Sequence, residues 1–268
     1  MKSKYDIIWV DSTDSTNEEA ARQISHLDNL SVVSACRQTA GRGQRGNTWS
    51  SAPGENLTFS IVLKCPLEAY DQFAISEAAA LAVVDLLSDY GLEGKIKWPN
   101  DIYVGNRKIC GILIENSIKG TALSHSIAGI GLNVNQTSFD PEIPNPTSFA
   151  LETGVKDFKV RNMLEEYMDI FSVYCSRYLH SNGGLGRLRR LYLSQMWRIG
   201  ETAEFIDYTR LPQGHIDGPV GIADHGTTEG RRFTGTITGL NDVGNLKIKD
   251  HTDGMVLEFG FKEIGYIL

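Results

Sequence analysis

The sequence has no apolar run close to the ~20 residues that a membrane-spanning helix needs. Its first residues, MKSKYDIIWVDSTDSTN, meet acidic side chains after a short apolar stretch, which is not the pattern of a signal peptide. Histidines show no HExxH or comparable metal-binding spacing. Cysteine is scarce and forms no CxxC pair, so free thiols in a reducing cytoplasm are expected rather than disulfides or zinc ligands, at Cys36, Cys65, Cys110 and Cys175.

Basic residues are fewer than acidic residues. The chain has 26 Lys and Arg against 33 Asp and Glu, and a net charge of −7 argues against a general nucleic-acid binder. The absence of a GxxxxGK[ST] motif excludes a simple P-loop nucleotide binder. What is present is a globular composition, with 41% hydrophobic and 22% charged residues in a chain of 268. This length suggests one large domain, or a main domain with a small companion.

The first 198 residues show a mixed succession of strand and helix patterns. Ser/Thr and Glu side chains in residues 15–19 predict a capping box, with a helix beginning near Asn17. The segment 71–91 is apolar on most of its circumference, which predicts a helix buried against a sheet. A proline-rich link at 139–149 is followed by a predicted helix pair at about 158–179 and 185–197. Strands are predicted at 5–10, 30–38, 55–64 and 124–136, and three more within 95–116.

The sequence pattern changes near residue 200. Short alternating strands are predicted from TAEFID onward, with a tight hairpin at LNDVGNL and a long polar loop at 207–231. This pattern is typical of a separate small β-barrel. We therefore expect a main domain over residues 1–198 and a C-terminal domain over residues 199–268.

The stretch TAGRGQRGNTWSS, residues 39–51, places three glycines and two arginines in six consecutive positions. Glycine lets the main chain approach a ligand closely, and arginine supplies a fixed charge with donors suited to phosphate or carboxylate. The pattern indicates an anion-binding loop. A solvated loop between two strands explains a Gly-Arg run about equally well, so the rest of the chain must decide.

Two further segments carry polar side chains. Ser15-Thr16-Asn17 lies at a predicted helix N-terminus, where backbone N–H groups are free to meet a ligand, although a simple helix cap explains it as well. Lys97 and Lys108 lie on predicted strands, where both also fit ordinary solvent-facing positions.

The segment GIGLNVN is harder to explain by packing alone. Gly129 and Gly131 lie on the same face of a predicted strand, which they weaken, and such glycines are typical of a place where something approaches closely. The pattern suits a flat ligand on a sheet. Trp49 fits either a core position or a stacking surface for a base.

Five motifs occur in order: STDSTN, GRGQRGNTW, KWPND, KICGILIE and GIGLNVN. Together they closely resemble biotin–protein ligases (biotin–[acetyl-CoA-carboxylase] ligases) over about residues 10–136. The resemblance implies an α+β fold of the class II synthetase and biotin ligase type. In that fold a mixed β-sheet with helices packed on one face is followed by a small SH3-like β-barrel.

The resemblance also implies a reaction. Such a ligase activates biotin with ATP as biotinyl-5′-AMP and transfers it to a lysine of a biotin carboxyl carrier protein. Since two anions must meet, fixed cations at that point are the main catalytic need, and Arg42 and Lys108 match the family's positions for them. The family uses Mg²⁺ on the phosphates, and Asp101 is the candidate to help hold it.

Two sets of binding residues follow from the same resemblance. The biotin ureido ring is expected at Ser15, Thr16, Asn17 and Gln38. The rest of the biotin site is expected to comprise Gly41, Arg42, Gly43, Gln44, Lys108, Gly111, Gly129 and Gly131. ATP is expected to meet Arg42, Arg45, Trp49, Lys97, Asn100 and Asn133, with Trp49 and Asn133 at the adenine.

The sequence departs from part of the family at two places. Some members, including the repressor type, carry arginine where this chain has Gln44, which bears on how tightly the adenylate is retained. The repressor type also has an N-terminal helix-turn-helix domain, for which the motif beginning at Ser12 leaves no room. A monofunctional cytoplasmic ligase is therefore expected, without DNA or membrane as partners and with a homodimer left open.

Two rival functions remain at this point. A lipoate–protein ligase shares the fold and the adenylation logic, but its RRxSGG-type motif is missing. A non-catalytic biotin sensor would use the barrel as its functional part. Arg42 and Lys108 argue against the sensor, because a protein that only binds biotin has less need of cations at a reaction centre.

Overall fold

The computed structural model describes residues 4–64, 67–181, 183–210 and 230–267, apart from the side chain of Arg45. The chain divides into two compact units, Met1–Trp197 and Arg198–Leu268. Cys65 and most of the predicted 207–231 loop lie outside the described residues. Within the described residues, every helix is too short or too polar to cross a membrane.

A seven-stranded mixed sheet forms the centre of the first unit. Its order is β1-β2-β3-β7-β6-β5-β4, with β1 and β2 parallel and the other neighbouring pairs antiparallel. All seven residues of β3 are buried, because this central strand is covered on both faces. In chain order the strands are β1 (Ile7–Thr13), β2 (Val32–Gln38), β3 (Leu57–Leu63), β4 (Gly94–Lys97), β5 (Asp101–Val104), β6 (Arg107–Lys119) and β7 (Ala122–Leu132).

The described part of this unit contains five α-helices: α1 (Thr16–Arg22), α2 (Phe73–Asp89), α3 (Phe149–Thr153), α4 (Val160–Tyr174) and α5 (Gly184–Ser194). The long α2 packs on the sheet so closely that a Cβ at Gly94 would lie 2.7 Å from the side chain of Leu87. Tyr167 of α4 meets Phe59 of β3 edge-on, with ring centroids 5.2 Å apart. The predicted α+β fold with a mixed sheet and helices is confirmed, with α2 and α4 packed on the sheet.

The short α1 lies on the opposite face of the sheet. Ala20 and the following Leu27 pack there with Val33, Val62 and Ile127. Because side chains two residues apart in a strand share a face, this face also carries the alternate positions of β3, β6 and β7. It is the face on which the polar residues of the site gather.

Two local expectations were wrong. Ser15 is the N-cap of α1, but its side chain makes no capping hydrogen bond, and its N–H binds Asp14 Oδ1 at 2.7 Å instead. The proline-rich link runs into a helix, α3, that the sequence did not predict. Ser148 caps this helix by accepting a hydrogen bond from the Leu151 N–H, and Gly154 ends it with a left-handed φ of 73°.

The second unit is a five-stranded antiparallel sheet of order β11-β10-β9-β8-β12. Its core is formed by Phe205, Phe233, Ile237, Ile248 and Phe259, all buried. The predicted hairpin at LNDVGNL joins β9 to β10. This sheet is consistent with the predicted SH3-like domain, and its strands are β8 (Thr202–Asp207), β9 (Arg231–Leu240), β10 (Leu246–Asp250), β11 (Val256–Phe259) and β12 (Ile264–Tyr266).

Candidate active site

Gly111 and Gly131 lie opposite each other on β6 and β7 and together support an aromatic ring. A Cβ at Gly131 would lie 2.3 Å from Cε2 of Trp49, and one at Gly111 would lie 3.0 Å from Cζ3 of the same indole. The sequence predicted a close approach by a flat ligand at Gly129 and Gly131. At Gly131, and at Gly111 opposite it, the group that approaches in the structure is the chain's own Trp49, for which these two glycines leave room.

Gly129 gives the same kind of room to Asn17. A Cβ at Gly129 would lie 2.2 Å from Asn17 Oδ1, so the amide of Asn17 rests on the strand. Ser60 Oγ donates to Asn17 Oδ1 at 2.6 Å, and Asn17 Nδ2 donates to Glu115 Oε2 at 2.8 Å. Asn17 is 3% exposed, and hydrogen bonds at both ends of the amide hold it in one orientation.

The start of α1 is joined to the end of β2 through Gln38. Its Oε1 accepts from the Thr16 N–H at 2.8 Å and from Thr16 Oγ1 at 3.2 Å. Ser15 and Thr16 are both buried. The predicted ureido residues Ser15, Thr16, Asn17 and Gln38 are therefore brought together beside Gly129.

The glycine loop folds back on itself between residues 41 and 49. The Trp49 N–H donates to Gly41 O at 2.9 Å, and the Gly43 N–H donates to Asn47 O at 2.7 Å. This fold leaves no room at Gly41, where a Cβ would lie 2.3 Å from the carbonyl oxygen of Trp49. Gln44 begins a short 3₁₀ turn in the loop, whereas the side chain of Arg45 lies outside the described residues.

The two predicted catalytic cations are each bound to carboxylates. Arg42 pairs with Glu18 and, at 2.7 Å, with Glu115. Lys108 Nζ lies 2.6 Å from Asp101 Oδ1 and 5.7 Å from the centroid of the Trp49 ring.

These cations meet β6 at different points. Lys108 lies against Gly111, whereas Arg42 lies against Glu115 four residues further on. The Cα atoms of Gly111 and Glu115 are about 13 Å apart at the usual rise of a strand. The two cations therefore contact β6 at two separate residues.

Lys97 and Asn100 make contacts within the protein. Lys97 Nζ hydrogen-bonds to the hydroxyl of Tyr103 at 3.0 Å and lies over the rings of Tyr103 and Trp197, 4.9 Å and 5.9 Å from their centroids. Asn100 donates from its side chain to Ile112 O at 2.9 Å, where β5 no longer covers the edge of β6. Asn100 thus supplies a hydrogen-bond donor to β6 just beyond the last residue that pairs with β5.

Two buried polar atoms of the predicted adenine residues have no hydrogen-bond partner in the protein. Asn133 is 3% exposed; its Nδ2 donates to Thr147 O at 2.9 Å, while its Oδ1 is unpaired. Nε1 of Trp49 is likewise buried and unpaired. Since an unsatisfied buried polar group costs about 1–3 kcal/mol, these atoms offer one acceptor and one donor to a ligand.

The site offers little to a protein-bound metal or to nucleophilic catalysis. Among the described residues, no group of three or more His, Cys, Asp and Glu side chains is arranged to hold a metal ion. Cys110 lies between Lys108 and Gly111 in sequence, but it is buried in the core, and burial raises the pKa of its thiol well above the usual range. This thiol is therefore a packing residue.

Sequence reasoning missed Ser60, Glu18 and Glu115. Ser60 is a polar residue in the middle of the apolar strand LTFSIVL, and that exception was a usable signal. Glu115 ends the motif KICGILIE, and strand alternation places it on the same face as Gly111. Nothing in the sequence pattern indicated that Glu18 would reach Arg42.

Comparison with known proteins shows the family to which the chain belongs. Residues 9–133 match the model of the biotin/lipoate A/B protein ligase family. The chain is 30% identical over 246 residues to the biotin–[acetyl-CoA-carboxylase] ligase of Paracoccus denitrificans, covering 88% of this chain and 91% of that protein. It is 36% identical over 151 residues to the bifunctional ligase/repressor BirA of Bacillus subtilis, covering 54% of this chain and 45% of BirA.

A solved structure is similar over nearly the whole chain. The biotin protein ligase from Aquifex aeolicus in complex with biotin and ATP superposes with a TM-score of 0.73 at 25% sequence identity. The superposition covers 99% of this chain and 98% of that chain.

Proposed function

Since this chain belongs to the biotin/lipoate A/B protein ligase family, we propose that it is an ATP-dependent ligase that activates biotin as biotinyl-5′-AMP and transfers it to a lysine of a biotin carboxyl carrier protein. The resemblance seen in the five motifs is confirmed. One observation carries the proposal: Gly129 under Asn17 and Gly131 under Trp49 place a polar pocket beside an aromatic wall on one face of the sheet. A small polar ring and a nucleotide fit that pair of surfaces.

The polar pocket would hold the ureido ring of biotin. Thr16, Asn17 and Gln38 offer hydroxyl and amide groups, which can both donate and accept, as a cyclic urea requires. Thr16 is hydrogen-bonded to Gln38, and Ser60 donates to Asn17, so these groups are set before the ligand arrives, which lowers the entropy lost on binding.

The aromatic wall would hold the adenine. Oδ1 of Asn133 is an unpaired acceptor that suits the exocyclic amine of adenine, and the half-buried indole of Trp49 offers a face for stacking. Lys97 and Asn100 would line the nucleotide side less directly, because their side chains already have partners in the protein. Arg45 stays a predicted nucleotide contact.

The first half-reaction needs charge stabilisation more than acid–base catalysis. A carboxylate oxygen of biotin attacks the α-phosphorus of ATP, the bond to the bridging oxygen breaks, and pyrophosphate leaves. The attacking carboxylate is already ionised at neutral pH, so no general base is required. Lys108 and Arg42 would stabilise the negative charge along this path, with Lys108 exchanging Asp101, and Arg42 exchanging Glu18, for the ligand.

Mg²⁺ would accompany ATP, where it neutralises phosphate charge. Asp101 is the candidate protein ligand, and it lies 2.6 Å from Lys108, at the cationic side of the site. A single carboxylate fits Mg²⁺, which usually keeps several waters and binds mainly through substrate phosphates.

In the second half-reaction the amine of the carrier lysine attacks the carbonyl of biotinyl-AMP and AMP leaves. We assign the protein to the cytoplasm, which the free thiols of Cys36 and Cys110 support. A homodimer and the absence of DNA binding remain hypotheses, to be checked by sedimentation and by titration with duplex DNA.

Mass spectrometry of a carrier domain tests the function directly. Incubation with the protein, biotin and ATP should add one biotinyl group, and replacing the acceptor lysine of the carrier should abolish the addition. Lipoate in place of biotin separates the rival ligase. A carrier that gains lipoate and no biotin, or no mass at all, would refute the proposal.

A further inference from the structure

Glu115 contacts two residues of the proposed site at once. One carboxylate oxygen lies 2.7 Å from Nη2 of Arg42, and the other accepts a hydrogen bond of 2.8 Å from Nδ2 of Asn17. Arg42 lies in the glycine loop, Asn17 in α1 and Glu115 on β6. A single side chain therefore ties together three segments that are distant in sequence.

We infer that Glu115 is a positioning residue of the ligase reaction, which sets the guanidinium of Arg42 and the amide of Asn17 in a fixed relation to each other. The inference rests on the proposed function. Glu115 itself need not touch either substrate, since it acts through the two residues that it holds.

The orientation of the Asn17 amide depends on Glu115. With Nδ2 toward Glu115, Oδ1 is left to accept from Ser60 and to rest on Gly129. Turning the amide over would place its oxygen against a carboxylate, where two acceptors repel. Glu115 thus decides which polar atom of Asn17 faces which neighbour in the biotin pocket.

Glu18 is the second carboxylate on Arg42 and serves as a matched control. Its described contact is with Arg42 alone, and its side chain is 45% exposed, against 36% for Glu115. Both residues thus present a half-exposed carboxylate to the same guanidinium. They differ in that Glu115 also holds Asn17.

Replacing Glu115 by glutamine removes this double role. Both neighbours of Glu115 are donors, and a carboxylate accepts at both oxygens, whereas glutamine has one acceptor and one donor. In Glu115→Gln the amide can serve either Arg42 or Asn17 and repels the other. In Glu18→Gln the single contact survives, because the remaining oxygen still accepts from Arg42.

The test is steady-state ATP–pyrophosphate exchange on the full chain. Glu115→Gln should raise the KM for biotin and lower kcat, each by about three- to tenfold, because pocket geometry and the placed charge are both disturbed. Glu18→Gln should stay within about twofold of wild type. Unfolding midpoints of both variants should remain close to wild type, since half-exposed ion pairs contribute little to stability.

Two double variants distinguish a positioning role of Glu115 from a merely structural one, through their effects on the biotin KM and on kcat. In an Asn17→Ala background, Glu115→Gln should no longer raise the biotin KM, and in an Arg42→Ala background it should no longer lower kcat. If Glu115→Gln folds poorly, Glu115→Asp keeps the charge and both acceptors but is one methylene shorter, and an intermediate loss is expected.

Three results would overturn the inference. In the first, Glu115→Gln and Glu18→Gln behave alike. In the second, the effect of Glu115→Gln persists undiminished in both backgrounds. In the third, Glu115→Asp matches wild type while Glu115→Gln fails to fold. A wild-type protein that forms no biotinyl-AMP refutes the proposed function itself and this inference with it.

Discussion

Replacing Gly131 by alanine should push the Trp49 indole off the sheet. A Cβ at residue 131 would lie 2.3 Å from Cε2, 2.6 Å from Nε1 and 2.7 Å from Cζ2 of Trp49. Carbon atoms in favourable contact lie about 3.5–4.0 Å apart, so the ring must move by more than about 1 Å. The strand cannot yield instead, because β7 is paired with Thr58 of β3 on one side and with Gly111 of β6 on the other.

The expected cost appears in both stability and function. Overpacking a filled site costs about 1–3 kcal/mol, and we expect the lower end because Trp49 is half-buried and lies on a loop. Displacing the proposed adenine wall should raise the KM for ATP about tenfold, which corresponds to about 1.4 kcal/mol. The biotin KM should change much less, because the three atoms nearest to a Cβ at this glycine all belong to Trp49.

Urea unfolding and ATP–pyrophosphate exchange measure the two effects, and Gly129→Ala is the control. Its Cβ would strike Asn17 Oδ1 at 2.2 Å and should raise the KM for biotin rather than for ATP. In a Trp49→Ala background Gly131→Ala should be nearly neutral in stability, because the methyl group then meets no ring. An unchanged ATP KM with unchanged stability would refute the reasoning, as would an equal cost with and without Trp49.

Arg42→Ala and Lys108→Ala should each slow adenylate formation about 100-fold, the usual loss for one preorganised charge contact, with little effect on the urea midpoint; full pyrophosphate exchange by either variant would remove that residue from the site. Glu77 is 1% exposed and paired with Arg189. Burial raises the pKa of its carboxyl group from 4.5 to about 7, so the folded state binds a proton at Glu77 more tightly than the unfolded state does. Stability should therefore fall by about 2–3 kcal/mol between pH 4.5 and 7 relative to Glu77→Gln, and parallel urea-unfolding curves would contradict this. A chain ending at Trp197 should bind biotin but label the carrier poorly; full labelling would show that the second unit is only a stabilising appendage, and loss of biotin binding would show that the boundary is wrong.

The boundary for that truncation illustrates how structure refines a sequence-based choice. The sequence pattern predicted the end of the main domain at residue 198, and the chain divides into compact units between Trp197 and Arg198. A cut only a few residues earlier would remove Trp197, whose N–H donates to Ile96 O at 2.9 Å and whose ring packs on Tyr103. These contacts join segments about 100 residues apart, so no local pattern could reveal them.

Local pattern determined much of this protein. Apolar periodicity located the strands around the site and the long helix α2, because burial of one face repeats with the geometry of the backbone. The five motifs identified the family and named the residues that gather at the sheet, since glycines, cations and amides of this kind are fixed by what they must bind. The predicted capping box was wrong, because the Ser15 side chain makes no capping hydrogen bond and its N–H binds Asp14 instead. The helix α3 was missed, although Ser148 caps it in the usual way by accepting from the Leu151 N–H.

Tertiary structure alone decided what each of those residues touches. The sequence showed that something lies close to Gly129 and Gly131, but only the fold shows that Asn17 and Trp49 are the groups that do so. It likewise pairs Arg42 with Glu18 and Glu115, and Lys108 with Asp101. Such contacts depend on strand register and on the path of a loop, and long-range packing sets both. A motif, by contrast, can be recognised from consecutive residues alone.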